Sequence, residues 1–244
     1  MIPNLKTVGL VLVAVFVVST VAASAAQATE GGISWAEGTT KLLVEADPNA
    51  PNQTFSITPG TIKASFTCDE LSAEATVTGT GASSVTAQGL TYSDSGTTPE
   101  KEVCTGTVNG IALKVTTKLN GCHYKFSAGT TEGVLAEGKG EGTLALECPA
   151  GKVIEVSAPG CLVKQGPQTM GPIYGKTVKT GSGLEHITAE AKIGQTATAH
   201  NDAIDYITSG FTCGAHTETD GTFEGRQTTK GFNGAGNPTN VTIT

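Results

Sequence analysis

The sequence predicts an all-β protein, an antiparallel, sandwich-like architecture of meander hairpins stabilised by disulfides. Three observations predict it. Asn109-Gly110 and Asn120-Gly121 each stand between apolar-alternating runs, and both residues of such a pair tolerate the positive φ of a two-residue hairpin loop. Apolar residues recur with period two along most of the chain, and no stretch sustains a helical period. Thr and Gly are abundant while charged residues make up only 15%. Thr fits a pleated surface through its branched β-carbon, and Gly punctuates turns and bulges.

The elements follow in chain order. Lys6, an unbroken apolar run from Val8 to Val18 and the small-residue ending Ala26-Gln27-Ala28 make residues 1–28 a signal peptide cleaved after Ala28, with Ala23-Ser24-Ala25 as a second candidate site. The rival reading, an uncleaved anchor, needs roughly 18–20 apolar residues, more than this run supplies. No later segment is long or apolar enough to span a bilayer, so the mature chain is expected to be exported and soluble.

Residues 29–60 form an N-terminal segment with a weak strand at Lys41–Glu45 and the linker Asp47-Pro48-Asn49-Ala50-Pro51, whose prolines forbid continuous pairing. Trp35 reads as a packing anchor rather than a ligand platform. Residues 61–164 are the main antiparallel β region. Ile62, Ala64, Phe66 and Cys68 share one face, and Leu71, Ala73, Ala75 and Val77 repeat the pattern. Between Ser84 and Tyr92 the apolar parity shifts at Gly89, the mark of a β-bulge.

From Val103 to Phe126 the two Asn-Gly turns predict a three-stranded meander. Its register puts Cys104, Val108, Ile111, Leu113, Val115, Leu119, Cys122, Tyr124 and Phe126 on one buried face. A turn at Pro149-Ala150-Gly151 would set Leu146 opposite Ile154, and Pro159-Gly160 would return Cys161 and Val163, extending the meander to Lys164. Residues 165–183, with prolines at 167 and 172, read as a loop-rich boundary. Residues 184–244 form a C-terminal β region of the same or a second domain, with strands over Leu184–Ile193, Ala203–Phe211, Asp220–Arg226 and Asn240–Thr244.

Cys68, Cys104, Cys122, Cys148, Cys161 and Cys213 in an exported chain read as three disulfides. Zinc is the weaker reading, because no C-x₂-C pair is present. In the inferred register Cys104 and Cys122 are too far apart to join, and Cys148 and Cys161 lie at opposite ends of a hairpin. Pairing of the Cys122 strand with Leu144–Cys148 brings Cys122 opposite Cys148. Of the pairings then open to the other four cysteines, this reading favours Cys68–Cys104 and Cys161–Cys213.

The net charge of −7 argues against nucleic acid and anionic membrane surfaces as partners. Arg226 is the single arginine, which excludes an anion clamp built of several, and 5% aromatic residues leave few rings for stacking. The densest polar stretch is His200, Asn201, Asp202, Asp205 and Tyr206, followed by His216, Glu218 and Asp220. Its spacing matches neither a metalloprotease helix nor an EF-hand, so it reads as a solvated loop. A glycosidase pair would draw on Glu70, Glu74, Asp94, Glu147 or Glu155, but Glu147 and Glu155 fall on outward faces. No Gly-x-Ser-x-Gly elbow is present. No catalytic residue, metal ligand or cofactor is assigned. Asn52 and Asn240 head N-glycosylation sequons, relevant only in a eukaryotic host.

The Gly-Thr-Ile-Lys strand leading to Cys68, Asn-Gly-Cys-His-Tyr-Lys-Phe, Leu-Glu-Cys-Pro-Ala-Gly-Lys, Ala-Pro-Gly-Cys-Leu-Val and Gly-Phe-Thr-Cys together resemble a group of exported, Thr- and Gly-rich proteins of soil actinobacteria. That group has no established activity. The resemblance implies export, β structure and disulfides, and assigns no site. Three functions are open at this point. The first is a non-enzymatic extracellular or envelope-associated module, with cell-envelope material as partner. The second is a secreted hydrolase of polysaccharide or ester bonds, and the third a small-ligand-binding sandwich.

Overall fold

A computed structural model describes residues 32–50, 52–95, 102–128, 139–194 and 203–244, so the signal-peptide reading lies outside the described residues. The described chain is β throughout. Its strands are β1 (Ile33–Trp35), β2 (Thr39–Ala46), β3 (Gln53–Ile57), β4 (Ala64–Cys68), β5 (Glu70–Thr76), β6 (Gly81–Ala82) and β7 (Ser84–Ser93). Then come β8 (Val103–Val108), β9 (Ile111–Lys118), β10 (His123–Ala128), β11 (Lys139–Glu147), β12 (Ile154–Ala158) and β13 (Cys161–Gln165). The last six are β14 (Gln168–Lys179), β15 (Glu185–Ile193), β16 (Ile204–Ser209), β17 (His216–Asn233), β18 (Pro238–Thr239) and β19 (Val241–Ile243). No helix among the described residues is long and apolar enough to cross a membrane.

The architecture is a closed barrel rather than the expected sandwich. Strands β2, β5, β7, β10, β11, β14, β15 and β17 pair in that order, and β17 returns to β2. The outer strands β16, β13, β12, β9, β8, β4 and β3 run from β17 back to β17 and close a second ring. β17, 18 residues long, belongs to both. Residues 216–221 pair with β16 and residues 222–224 with β3, while residues 223–229 pair with β15 and 227–233 with β2. The chain alternates between the rings as it proceeds, crossing a shared waist after β2, β4, β7, β9, β11, β13 and β15. Closure leaves neither ring a free edge.

This weaving corrects the meander. The Asn109-Gly110 hairpin has the expected register, with Val108 opposite Ile111 and Cys104 opposite Val115. Asn120 and Gly121 do adopt positive φ (51° and 79°), and Cys122 N–H donates to Leu119 O at 2.8 Å. Yet β9 pairs with β8 and β12, while β10 pairs with β7 and β11. A tight turn sets only its own geometry, and here the strands on either side find partners in different rings. Likewise Leu146 faces Tyr124 and Gln168 rather than Ile154, which faces Gln165. Ile111, assigned to the buried face, is 71% exposed because the hairpin tip overhangs the second ring.

Residues 165–183 are not a boundary either. Most of them form β14, in which Pro172 sits where the register against β11 slips between Gly142 and Leu144. A bulge is where a proline, lacking its N–H, costs a sheet least. The bulge at Gly89 (φ +62°) is present, and Val85, Ala87 and Leu90 are buried on either side of it.

Three clusters fill the interior. Phe66, Val108, Val115, Val163 and Tyr206 pack the second ring, where Phe55 stacks on Phe66 at 6.1 Å and meets Tyr206 edge-on. Val44, Ala87, Tyr124, Leu146 and Ile193 of the first ring meet Leu119, Ile154 and Ile204 of the second at the waist. At the far end of the first ring the small sheet β19-β1-β6 packs Trp35 and Val241 on Leu42, Val85 and Ile187. Trp35 is an anchor, 6% exposed, with Nε1–H donating to Gly79 O at 2.8 Å. Each such fully buried side chain contributes about 1.5–3 kcal/mol.

Disulfides join Cys68 to Cys104, Cys122 to Cys148 and Cys161 to Cys213; the expected β10–β11 pairing sets the second, and the first and third are the remainder the sequence reading favours. Each links neighbouring strands or the turns that follow them. His123 faces Glu147 in the β10–β11 ladder, which puts Cys122 opposite Cys148. Three disulfides suit an oxidising compartment.

Candidate functional site

Where β9 crosses to β10, the outer wall opens into a cleft of about 520 Å³. Its floor is Leu90 and Leu119, both buried, and its rim carries Gln88, Glu102, Lys118, Asn120 and His123. The bulge at Gly89 turns β7 outward at one side, and the Asn120-Gly121 turn forms the other. The turn is fixed from two directions. Asn120 Nδ2–H donates to Val153 O at 2.8 Å, and the Cys122–Cys148 disulfide lies beneath. This volume falls in the range of small-ligand sites.

Glu102 is the unusual residue of the cleft. Its φ is 38°, a left-handed conformation that a glutamate adopts only under constraint. The constraint is visible: its carbonyl accepts both the N–H of Thr117 at 2.8 Å and the Oγ1–H of Thr117 at 3.0 Å. Its carboxyl has no hydrogen-bond or ion-pair partner among the described residues, and burial raises its pKa above the ordinary glutamate value. Across the cleft, His123 Nε2–H donates to Glu147 Oε2 at 3.2 Å, and Lys125 approaches the other carboxylate oxygen at 4.0 Å. A carboxylate only accepts, so Nε2 carries the proton and the ring is held by its far edge.

A second cleft of about 490 Å³ adjoins the first and shares Gln88 with it. Thr76, Thr78, Ser84, Thr86 and Glu74 line it, above the edge of Trp35. Together the clefts follow the outward side chains Ser84, Thr86 and Gln88 of β7, which recur about every 6.6 Å. Hydroxyl and amide groups dominate this track. Glu74 is held at its side by Lys41 at 3.0 Å. Such a surface offers many directional hydrogen bonds and little charge.

The polar stretch nominated from the sequence is dispersed. His200, Asn201 and Asp202 lie outside the described residues. Asp205 is exposed, with its backbone tied to the Gln168 amide. Tyr206 is buried in the second ring, donates to Asp220 Oδ1 at 2.7 Å and accepts from Thr58 N–H at 3.1 Å. Burial and the Asp220 bond hold its phenol far above the ordinary value. His216 and Glu218 form a loose pair at 3.6 Å on β17. No group of three or more His, Cys, Asp and Glu among the described residues is arranged to hold a metal.

Of the nominated carboxylates Glu70 and Glu74 share β5 and Glu70 comes close to Asp94, while Glu147 and Glu155 lie apart on β11 and β12. Glu147 is bound to His123, and Glu155 lies 3.7 Å from Lys164. Glu70 accepts from Ser93 Oγ at 3.1 Å, and neighbouring Asp94 is raised in pKa by burial and then by Asp69. The asparagines of both sequons are engaged: Asn52 donates to Asp69 at 2.6 Å, and Asn240 accepts from Glu185 N–H at 3.0 Å.

Gln88, Glu102, Lys118, Asn120 and His123 were not nominated as site residues. Gly89 and Asn120-Gly121 marked the place, but only as chain punctuation, and nothing about a glutamate before Val103 announces a left-handed backbone. Comparison with protein-family models, with curated proteins and with solved structures returned no match.

Proposed function

We propose that this chain is an exported, non-enzymatic module that docks on cell-envelope polysaccharide along the track outside β7. The observation that carries this reading is Glu102. A strained residue with a partly desolvated, unpartnered carboxyl costs the fold stability, and such costs concentrate where a ligand is met. Its carboxylate accepts ligand hydroxyls, with Gln88, Asn120 and His123 as further donors and acceptors, and the Ser/Thr row of the second cleft extends the contact along a polymer. The buried disulfides, the low charge and the resemblance to exported actinobacterial proteins support an extracellular or envelope setting.

The test is pelleting of the oxidised protein with insoluble envelope polysaccharide. Binding is expected to saturate and to be competed by soluble fragments of the same polymer. Gln88→Ala/His123→Ala should bind about tenfold more weakly, a loss of about 1.4 kcal/mol, at unchanged Tm. Pelleting no greater than that of a control protein, or equal pelleting of variant and wild type, would sink the reading.

A further inference from the structure

The waist encloses an apolar chamber of about 80 Å³ to which both rings contribute, among them Val44, Phe66, Leu119, Met170 and Ile204. A second chamber of the same volume lies toward the small end sheet, and Val44, Phe126, Ile173 and Gln227 form the partition between them. No charged side chain lines either one. An ion there would lose its hydration without replacement, so any guest is uncharged.

Polar groups do reach the waist chamber, and some are unanswered. Gln227 donates its Nε2–H to Gln53 Oε1 at 2.6 Å. Gln165, only 9% exposed, has a single hydrogen bond, donation from Nε2 to Met170 Sδ at 3.6 Å. A thioether is a weak acceptor, and the amide oxygen has no partner among the described residues. Tyr92 donates its phenolic proton to Tyr124 Oη at 3.3 Å, so the Tyr124 proton is the one left with no acceptor among the described residues. Burial holds both phenols above their ordinary value, so they remain neutral donors. Protein interiors seldom leave such groups unmatched, and the Gln165 oxygen is not among the fully sealed side-chain atoms, so a guest can reach it.

We propose that the waist chamber is a binding site for a small uncharged alcohol, on the inner side of the Leu90 and Leu119 that floor the outer cleft. Its hydroxyl donates to the Gln165 amide oxygen and accepts from the Tyr92–Tyr124 pair, while its short carbon chain occupies the space beside Val44 and Met170. Water is the competing guest. The volume would hold about three molecules at liquid density, but each needs two to four polar partners, and most of the lining is apolar.

The experiment titrates the oxidised protein with alcohols from methanol to 1-butanol and follows the methyl NMR signals of Val44, Met170 and Ile173. Saturable shifts at these methyls, peaking at an intermediate chain length, are expected. Gln165→Met should weaken alcohol binding about tenfold while xenon, which needs only apolar space, still enters. If Gln165→Met does not fold, Tyr124→Phe gives the same comparison. Ala87→Leu, which adds bulk to the chamber wall, should abolish both guests. Absence of saturable shifts in the wild type overturns the proposal, as does wild-type alcohol affinity in Gln165→Met or, where that variant does not fold, in Tyr124→Phe.

Discussion

Gln227 donates its Nε2–H to Gln53 Oε1 at 2.6 Å, with both side chains buried where β17 leaves one ring for the other. On that side of β17 the neighbour changes from β3 to β2, and the Gln53 side chain bridges the change by donating to Arg226 O at 3.1 Å. Gly225 lies where any Cβ would strike the Gln53 amide. The single arginine closes the same seam from outside. Its Nε–H donates to Asp47 Oδ2 at 2.8 Å and its Nη2–H to Asn49 O at 2.9 Å, holding the crossover from β2 to β3.

Breaking one member of this pair should therefore already cost much of what removing both costs. Gln53→Met or Gln227→Met alone leaves a buried amide unpaired and should lower stability by about 1–3 kcal/mol. The double variant should cost less than the sum of the two. Urea unfolding of the four proteins closes the cycle, and simple additivity would show the pair to be uncoupled.

Glu102 predicts a pH dependence. Burial raises its folded-state pKa above the unfolded value, so the folded chain holds that proton more tightly, and stability falls as pH rises through the interval. Glu102→Gln should raise Tm at neutral pH. The gain should vanish as the pH drops below the ordinary value of 4.5. The same variant should bind polysaccharide less well, so stability and binding move in opposite directions. A variant no more stable than wild type at pH 7 would mean that the carboxyl carries no such cost.

His186 on β15 makes the opposite prediction. Burial lowers its pKa, Lys230 adds to the effect and Asp47 opposes it. The unfolded chain then takes up the proton first, and stability present above the ordinary value of 6.5 is lost as the pH falls through it. Between pH 7.5 and 5.5 the wild-type Tm should drop further than that of His186→Gln. Parallel thermal curves for the two proteins would count against it.

Local features of this fold were legible because they depend on a few adjacent residues. Asn109-Gly110, Pro159-Gly160 and the Gly89 parity shift each specify a turn or bulge, and the structure has all three. Cys122 opposite Cys148 was legible for the same reason, as a consequence of one ladder. Ring closure was not. Whether β10 continues from β9 or crosses the waist is decided by side chains far away in sequence, such as Val85 and Ala87, which offer β10 a partner. β14 was hidden by Pro172, which marks a loop unless a bulge elsewhere absorbs it. The outer cleft was hidden because its rim comes from separate elements, and none of its residues forms a motif alone.

The disulfides should separate stability from binding. Cys122–Cys148 closes 26 residues and lies under the outer cleft, while Cys161–Cys213 closes 52 and braces the opposite end of the second ring. In the chain-entropy account each stabilises by about 3.5–4 kcal/mol, so replacing either pair by serine should lower stability by similar amounts. Their effects on the ligand should differ. Without Cys122–Cys148 the Asn120-Gly121 turn keeps only the Val153 bond, and the rim formed by Asn120 and His123 loosens. Cys122→Ser/Cys148→Ser should therefore weaken polysaccharide binding at temperatures where it is still folded, whereas Cys161→Ser/Cys213→Ser should bind as wild type does. Equal binding by both variants would move the polysaccharide site away from the outer cleft.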